Sequence, residues 1–545
     1  MSEQVSNQAG AGDPPAISRA EWLLVLPLAA GVIVVMLAAL SYKVFELDRY
    51  FIPKELALNI VGMIVALVFA FRLRVLRGDL IDGLIAVFIA WSILAAVFAT
   101  NHWLAQRAIG VSVSSALVFW GARHVSSQQM ARTLIGAAVF AAIAAAITSL
   151  AQAYGVESVW FTLARAPGGT LGNRNFIAHV VAIALPFAVW CALTTKRSII
   201  AFWWTIGVGI LAATIVLSRS RAAYLAVALT LVISLPLFLV SRKYWRETRV
   251  GGRLARILLV TMLGGTIAVI LPNTLEWKSD SPYLDSARNV VDYESGSGRG
   301  RIAQYQNSLK IVSADPIFGA GPGNWPVRYP RFAPGGDPSL ADNGMTANPW
   351  PSSDWVAFIS ERGAVAAVSL LAVFAVLFFG SLRKWRDLPS YEHILMRIAL
   401  AGTVVATMVV SAFDAVLLLP APAFLVWLTF GAATASPQRR NTVDLASRRW
   451  RHARFAVVVL AALSTIRSAA QVMAMSNVGT GARTAGWVAA ARLDPGSYRI
   501  NQRLADIYAG HRQCAKSRPY ARQALSLFPN SLPARRTARR CGIRR

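Results

Sequence analysis

Residues 196–243 read KRSIIAFWWTIGVGILAATIVLSRSRAAYLAVALTLVISLPLFLVSRK. Two uninterrupted apolar stretches, 198–217 and 222–240, each supply the ~20 residues that a helix needs to cross a hydrocarbon core roughly 30 Å thick. Only Ser218-Arg219-Ser220-Arg221 separates them, so the second stretch must return the way the first came. Basic pairs close the two outer ends, Lys196-Arg197 and Arg242-Lys243. Those pairs therefore share one side of a membrane, and Arg219 and Arg221 lie on the other.

The same pattern extends outward in both directions. Apolar segments recur near 22–41, 56–71, 80–99, 105–121, 133–153, 177–193, 199–217, 222–240, 254–272, 363–381, 396–413, 421–437 and 455–474. With 55% hydrophobic and 15% charged residues, the chain is too apolar for a soluble protein of several domains. The expected class is an all-α polytopic membrane protein with 12–13 transmembrane helices. The first segment is read as a span and not as a cleaved leader, because Glu3, Asp13 and Glu21 outweigh Arg19 before it.

Alternate connectors carry the positive charge. Those near 72–79, 122–132, 194–198, 241–256, 382–395 and 438–454 hold about 22 Lys and Arg, against about eight in the short connectors between them. The positive-inside rule then puts the N-terminus in the cytoplasm and the C-terminus in the periplasm of a bacterial inner membrane. The net charge of +29 is mostly topogenic, and its spread over both faces gives no nucleic-acid surface.

These readings divide the chain into a cytoplasmic tail (1–21), spans one to nine (22–272), a large helical periplasmic loop (273–360), spans ten to thirteen (361–475) and a periplasmic tail (476–545). The loop holds Trp325, Trp350 and Trp355 among many Gly and Pro and is read as folded. In the tail, "Ala-x-x-Leu-Asp-Pro" ending at Pro495 and "Ala-Leu-x-Leu-x-Pro" ending at Pro529 stand 34 residues apart, the period of a tetratricopeptide repeat. A generic helical hairpin explains the same residues. One such unit buries little by itself and is expected to pack on the loop or on a partner. Cys514 and Cys541 both fall in the tail, where an oxidising compartment permits but does not require a disulfide, and Cys191 lies inside a span. No Cys/His spacing suggests a metal site.

Candidate chemistry collects on the depleted side. Arg219 and Arg221 flank a span boundary, and a guanidinium pair suits phosphate oxygens, although snorkelling anchors look the same in sequence. Arg301 follows Gly296-Ser-Gly-Arg-Gly and opens a helical run, where an anion could sit at the helix N-terminus. Gly172-Asn173-Arg174-Asn175 precedes the sixth span, with His179 one turn on, and a helix cap accounts for either asparagine. Asp354 leads through Glu361-Arg362-Gly363 into the tenth span, supplying a candidate general base.

Together these motifs resemble the O-antigen ligase superfamily of bacterial envelope enzymes. The resemblance rests on Ser220-Arg221-x-x-Tyr224, Gly172-Asn173-x-Asn175, Arg301 with the run Asp315-Pro-Ile-Phe-Gly-Ala-Gly-Pro-Gly-Asn324, and Glu361-x-Gly363. It covers roughly residues 20–440, with the ligase domain proper near 200–380. It implies transfer of a glycan from undecaprenyl pyrophosphate to a lipid A core, polysaccharide or protein hydroxyl, without cofactor or metal. Arg221 and Arg301 would grip the pyrophosphate and Asp354 would serve the chemistry. Arg219, Asn173, Arg174, Asn175 and Glu361 would line the substrate site, and the tail would engage envelope-assembly proteins. One departure stands out: the family's His, nine residues before the Glu, is Ser352 here. Asp354, His179 or a reaction needing little base help would then have to serve, or activity is lost. A lipid-linked sugar transporter would need charges within spans, and Arg467 is the exception among nearly charge-free segments. A non-catalytic scaffold remains the other alternative.

Overall fold

The computed structural model describes residues 19–41, 48–73, 75–160, 165–277, 279, 281–288, 296–383, 385–435, 441–444, 447–479 and 483–543. Helices α1 (Arg19–Leu37), α2 (Asp48–Phe71), α3 (Leu80–Val97), α4 (His102–Arg123), α5 (Gln128–Ala153), α6 (Arg174–Thr194), α7 (Ser198–Ser218) and α8 (Arg221–Val240) follow in order. After the short α9 (Arg242–Trp245) comes α10 (Val250–Ile270). The long connection carries α11 (Pro282–Arg288), α12 (Gly296–Ala314) and α13 (Trp325–Arg328). The bundle resumes with α14 (Asp354–Ser381), α15 (Tyr391–Phe413), α16 (Pro420–Ala433) and α17 (Arg448–Gly479). The tail holds α18 (Thr484–Leu493), α19 (Tyr498–Gly510), α20 (Cys514–Leu527) and α21 (Leu532–Arg540).

Each of the thirteen apolar segments falls on a helix. Among the described residues, ten helices are long and apolar enough to cross a membrane, and α1 and α16 are shorter apolar helices. The protein is an all-α polytopic membrane protein. One boundary moves: the helix expected from 361 starts at Asp354, and Glu361 lies inside it.

The connectors sort onto two faces. Strand β1 (Val75–Gly78) pairs antiparallel with β2 (Asn441–Asp444). Arg132 bonds Glu392 at 3.0 Å, and Arg253 donates to the Leu193 carbonyl at 2.8 Å. These contacts gather the basic connectors on one face. The long connection and the tail share the opposite face, where the Leu532 amide donates to the Asn343 carbonyl at 3.1 Å and Asn101 pairs with Asn324.

Between α15 and α16 the backbone leaves helical geometry at Asp414–Leu419. Helix α16 has 14 residues, about 21 Å at 1.5 Å per residue. Irregular backbone survives beside lipid only where protein satisfies its amides. Asp354 does so: its carboxylate, fully buried, accepts from the amides of Val416, Leu417 and Leu418 at 2.7–3.4 Å.

The tail is helical, and its 34-residue offset is structural. Ala490 and Ala524 are both fully buried, and Ser497 and Ser531 both stand at helix N-caps. Cys514 and Cys541 form a disulfide. The tail sits on the bundle as well as the loop: Trp103 donates its indole N–H to Asp494, and Asn101 reaches the Leu527 carbonyl.

Candidate functional site

Three turns on the loop face build the site. The first, between α5 and α6, is clamped onto its neighbours. Gln152 Oε1 accepts from the amides of Gly168 and Gly169 at 2.8 Å each, and Ser149 donates to the Pro167 carbonyl at 2.8 Å. Gly172 has φ +70°, and a Cβ there would meet the Tyr50 ring at 2.4 Å. Asn173 caps α6 by accepting from the Asn175 amide at 3.0 Å, so its acceptor is engaged locally. This closes the turn with Arg165, Arg174 and Asn175 together, the Arg174 amide donating to the Arg165 carbonyl at 3.0 Å.

The second turn joins α7 to α8. Arg219 ends α7 in the left-handed region, φ 52°, a conformation that costs a non-glycine residue about 1 kcal/mol. Tyr224 Oη donates back to the Val216 carbonyl at 3.0 Å, across this corner. The Ser-Arg-x-x-Tyr motif is thus a device for holding the corner shut. Arg219 Nε donates to Ser286 Oγ at 2.9 Å. The guanidiniums of Arg219 and Arg174 stack on the Trp277 ring at 4.6 and 4.9 Å from its centre. Arg221 opens α8. Thr230 bonds Gly402 of the antiparallel α15, which sets Arg221 level with residue 411, about a turn from Asp414.

The third turn is Asp414 itself, beside Arg301, which lies in the second turn of α12 because the helix starts at Gly296 and not at Arg301 as the sequence suggested. Asp414 Oδ1 accepts from the Ala415 amide at 2.9 Å, and Asn175, Arg301 and Arg165 lie close enough to favour its ionised form. Burial pushes the Asp414 carboxyl up to about 6 despite these partners. The Arg301 charge also reaches His179, which is buried one turn beyond Asn175; among the described residues its Nδ1 has no hydrogen-bond partner. Tyr305, one turn after Arg301, donates to the carbonyls of Ser352 and Ala412 at 2.6 and 2.9 Å. Gln304 Oε1 accepts from the Ser352 amide at 2.6 Å. The loop helix is therefore fastened over Asp414, and Ser352, at the position of the family's His, lies against the same helix.

A cavity of about 620 Å³ opens between the first turn and residues 274–277, lined by Arg165, Asn173, Arg174, Asn175, Glu276 and Trp277 among others. Its chemistry is that of an anion site with a carboxylate nearby. Guanidiniums bind phosphate oxygens in pairs, and a carboxylate near neutrality takes a proton.

Two residues expected in this site are placed elsewhere. Asp354 spends both oxygens on backbone amides, as described above, and its geometry is that of an anchor and not a base. Glu361 accepts from the amides of Gly323 and Trp325 at 2.7 and 3.1 Å. Its neighbour Arg362 bonds Ser92 and Ser112 inside the bundle at 3.0 and 2.9 Å. Gly363 has φ +74°, and a Cβ there would lie 1.9 Å from the Ile317 carbonyl oxygen. The Glu-x-Gly motif thus locks the 315–325 loop to α14. Sequence reading missed Arg165, Trp277 and Asp414 as site residues. Only Asp414 left a signal, a lone carboxylate at the end of an apolar span.

The fold and site define a multi-pass membrane protein with a pocket lined by Arg165 and Arg174 on the face of the long connection. Residues 206–344, about a quarter of the chain, match the family model described as O-antigen ligase. The match spans α7 to the long connection and includes Arg219, Arg221, Trp277 and Arg301. No curated protein matches the chain.

Proposed function

We propose that the protein transfers a glycan from undecaprenyl pyrophosphate to an acceptor hydroxyl of lipid A core, polysaccharide or protein on the periplasmic face. The observation that carries the reading is the convergence of Arg165, Asn175 and Arg301 on Asp414, beside the cavity walled by Arg174 and Trp277. The basic connectors on the opposite face argue for a cytoplasmic side there, by the positive-inside rule.

In this reaction the acceptor hydroxyl gives its proton to Asp414 while its oxygen attacks the anomeric carbon. The bond from that carbon to the phosphate oxygen breaks, and its electron pair leaves with the pyrophosphate. Arg174 and Arg165 in the pocket wall, Arg219 stacked on its Trp277, and Arg301 beside Asp414 balance the developing charge. Fixed donors aimed at developing charge usually contribute more to such catalysis than any other single effect. Asp414 then returns its proton to water. This arrangement answers the missing His: Asp414 approaches from the α15 side, onto the same helix that Ser352 touches.

Arg301→Ala and Arg219→Ala test the reading. Each should lower transfer by about 10²–10³-fold, the usual worth of one such donor, and carrier-linked glycan should accumulate at unchanged protein level. Normal surface glycan from both variants would refute it, and would leave a scaffold acting through the tail.

A further inference from the structure

A second cavity, of about 260 Å³, lies in the seam between the tail and the bundle and shares no lining residue with the arginine pocket. Five aromatic side chains line it, Phe51 and Trp103 from the bundle, Trp350 from the long connection and Tyr498 and Phe528 from the tail. Ion pairs cross its walls. Arg107 bonds Glu55 at 2.6 Å within the bundle, and Arg499 of the tail bonds Asp48 of α2 at 3.0 Å. Glu55 is 2% exposed, and its second oxygen accepts no hydrogen bond among the described residues, lying 3.7 Å from Arg467. A buried carboxylate oxygen without a donor costs stability unless something else supplies one.

We propose that this cavity is the acceptor subsite and takes the terminal sugar of an acceptor glycan; the proposal rests on the transferase reading above. Sugars present an apolar C–H face and an edge of hydroxyls that donate and accept. Rings beside carboxylates and guanidiniums match both surfaces, and the Glu55 oxygen, ion-paired with Arg467 at 3.7 Å but accepting no hydrogen bond among the described residues, can still accept from a hydroxyl. Apolar and charged groups are interleaved in the wall, Asp48, Glu55, Arg107 and Arg499 among rings and leucines, a mixture that suits a sugar's two surfaces.

The seam also leads to the reaction centre. Trp350 packs edge-on against Phe51 at 5.2 Å and lies 6.4 Å from Phe176, the neighbour of Asn175. Two residues on, Ser352 is held by Gln304 and Tyr305 beside Arg301. Across the cavity, the wall Leu417–Pro420 follows directly from Asp414. A sugar seated here approaches the arginine pocket from the Asp414 side, where a proton acceptor is needed. The tail is then part of the enzyme's specificity, since Tyr498, Arg499 and Phe528 complete the cavity.

The test uses the full chain in detergent. The probe is oligosaccharide released by mild acid from the envelope glycan of a host strain lacking the protein, with binding read by ligand-detected NMR. Wild-type protein should bind it. Phe528→Ala and the surface variant Arg499→Gln should bind at least tenfold more weakly and raise the acceptor KM, while slow hydrolysis of the lipid-linked donor by water stays unchanged. Equal binding by wild type and both variants, no binding to wild type, or displacement by a polyprenol or an acceptor peptide instead would overturn the proposal. Arg301→Ala keeps the two readings separate. If it abolishes transfer while the tail variants bind and react as wild type, only the subsite assignment fails; if it transfers normally, the transferase reading fails first.

Discussion

Asp354→Asn separates an anchor from a base. In the structure one carboxylate oxygen accepts from Leu417 at 2.7 Å and Val416 at 3.0 Å, and the other from Val416 at 3.1 Å and Leu418 at 3.4 Å. Asparagine keeps one acceptor and turns an NH₂ group toward amides that themselves donate. One or two charge-assisted bonds are lost, at about 1.5–3 kcal/mol each, so the variant should be destabilised by roughly 1.5–6 kcal/mol. The assay is thermal unfolding in detergent, paired with transfer rate per folded molecule at low temperature. The expected outcome is a clearly lowered midpoint with a folded-state rate within about tenfold of wild type. A base would behave the other way, folding normally but losing about 10²–10⁴ in rate. A normal midpoint with that rate loss would refute the assignment of Asp354 to the Asp414–Leu419 break.

Gly363→Ala should prevent accumulation of folded protein, because the residue's left-handed backbone and the 1.9 Å approach of the Ile317 oxygen leave no room for a methyl group; wild-type expression and midpoint would contradict this. Cys541→Ser opens a bridge spanning 27 residues, which by loop closure contributes about 3 kcal/mol; limited proteolysis should then cut the tail first while the bundle stays intact. A reporter fused after Arg219 should be active only when it requires the periplasm, and cytoplasmic activity would reverse the assigned orientation.

How far the sequence led depends on which interactions a local pattern encodes. The thirteen apolar segments were legible because each helix must satisfy its own backbone in lipid, a constraint written in every residue of the span. The connector between the segments ending at 413 and starting at 421 was legible too, but not what holds it, since its amides are satisfied by Asp354, about sixty residues away. For the same reason Asp354 and Glu361 looked free for chemistry: a carboxylate before an apolar span gives no sign of the distant amides it will meet. Arg219 and Arg301 were recognisable by residue type and sidedness, whereas Trp277 mattered only once two arginines had been folded onto its ring. In the tail, the offset between Pro495 and Pro529 foretold the matching caps at Ser497 and Ser531. Its seat against Trp103 depended on Gly496 meeting that ring, which no repeat pattern records.

The most direct test of the reaction centre is the rate of Asp414→Asn against pH. A base must be ionised, and burial holds the Asp414 carboxyl at about 6, so wild-type kcat/KM should fall with decreasing pH below that value. The variant should be about 10²–10⁴-fold slower and should lack this acid limb, with folding and donor binding preserved. A variant that transfers at the wild-type rate with the same acid limb would show that the proton goes elsewhere and that the Arg301–Asp414 cluster is not where the glycan is moved.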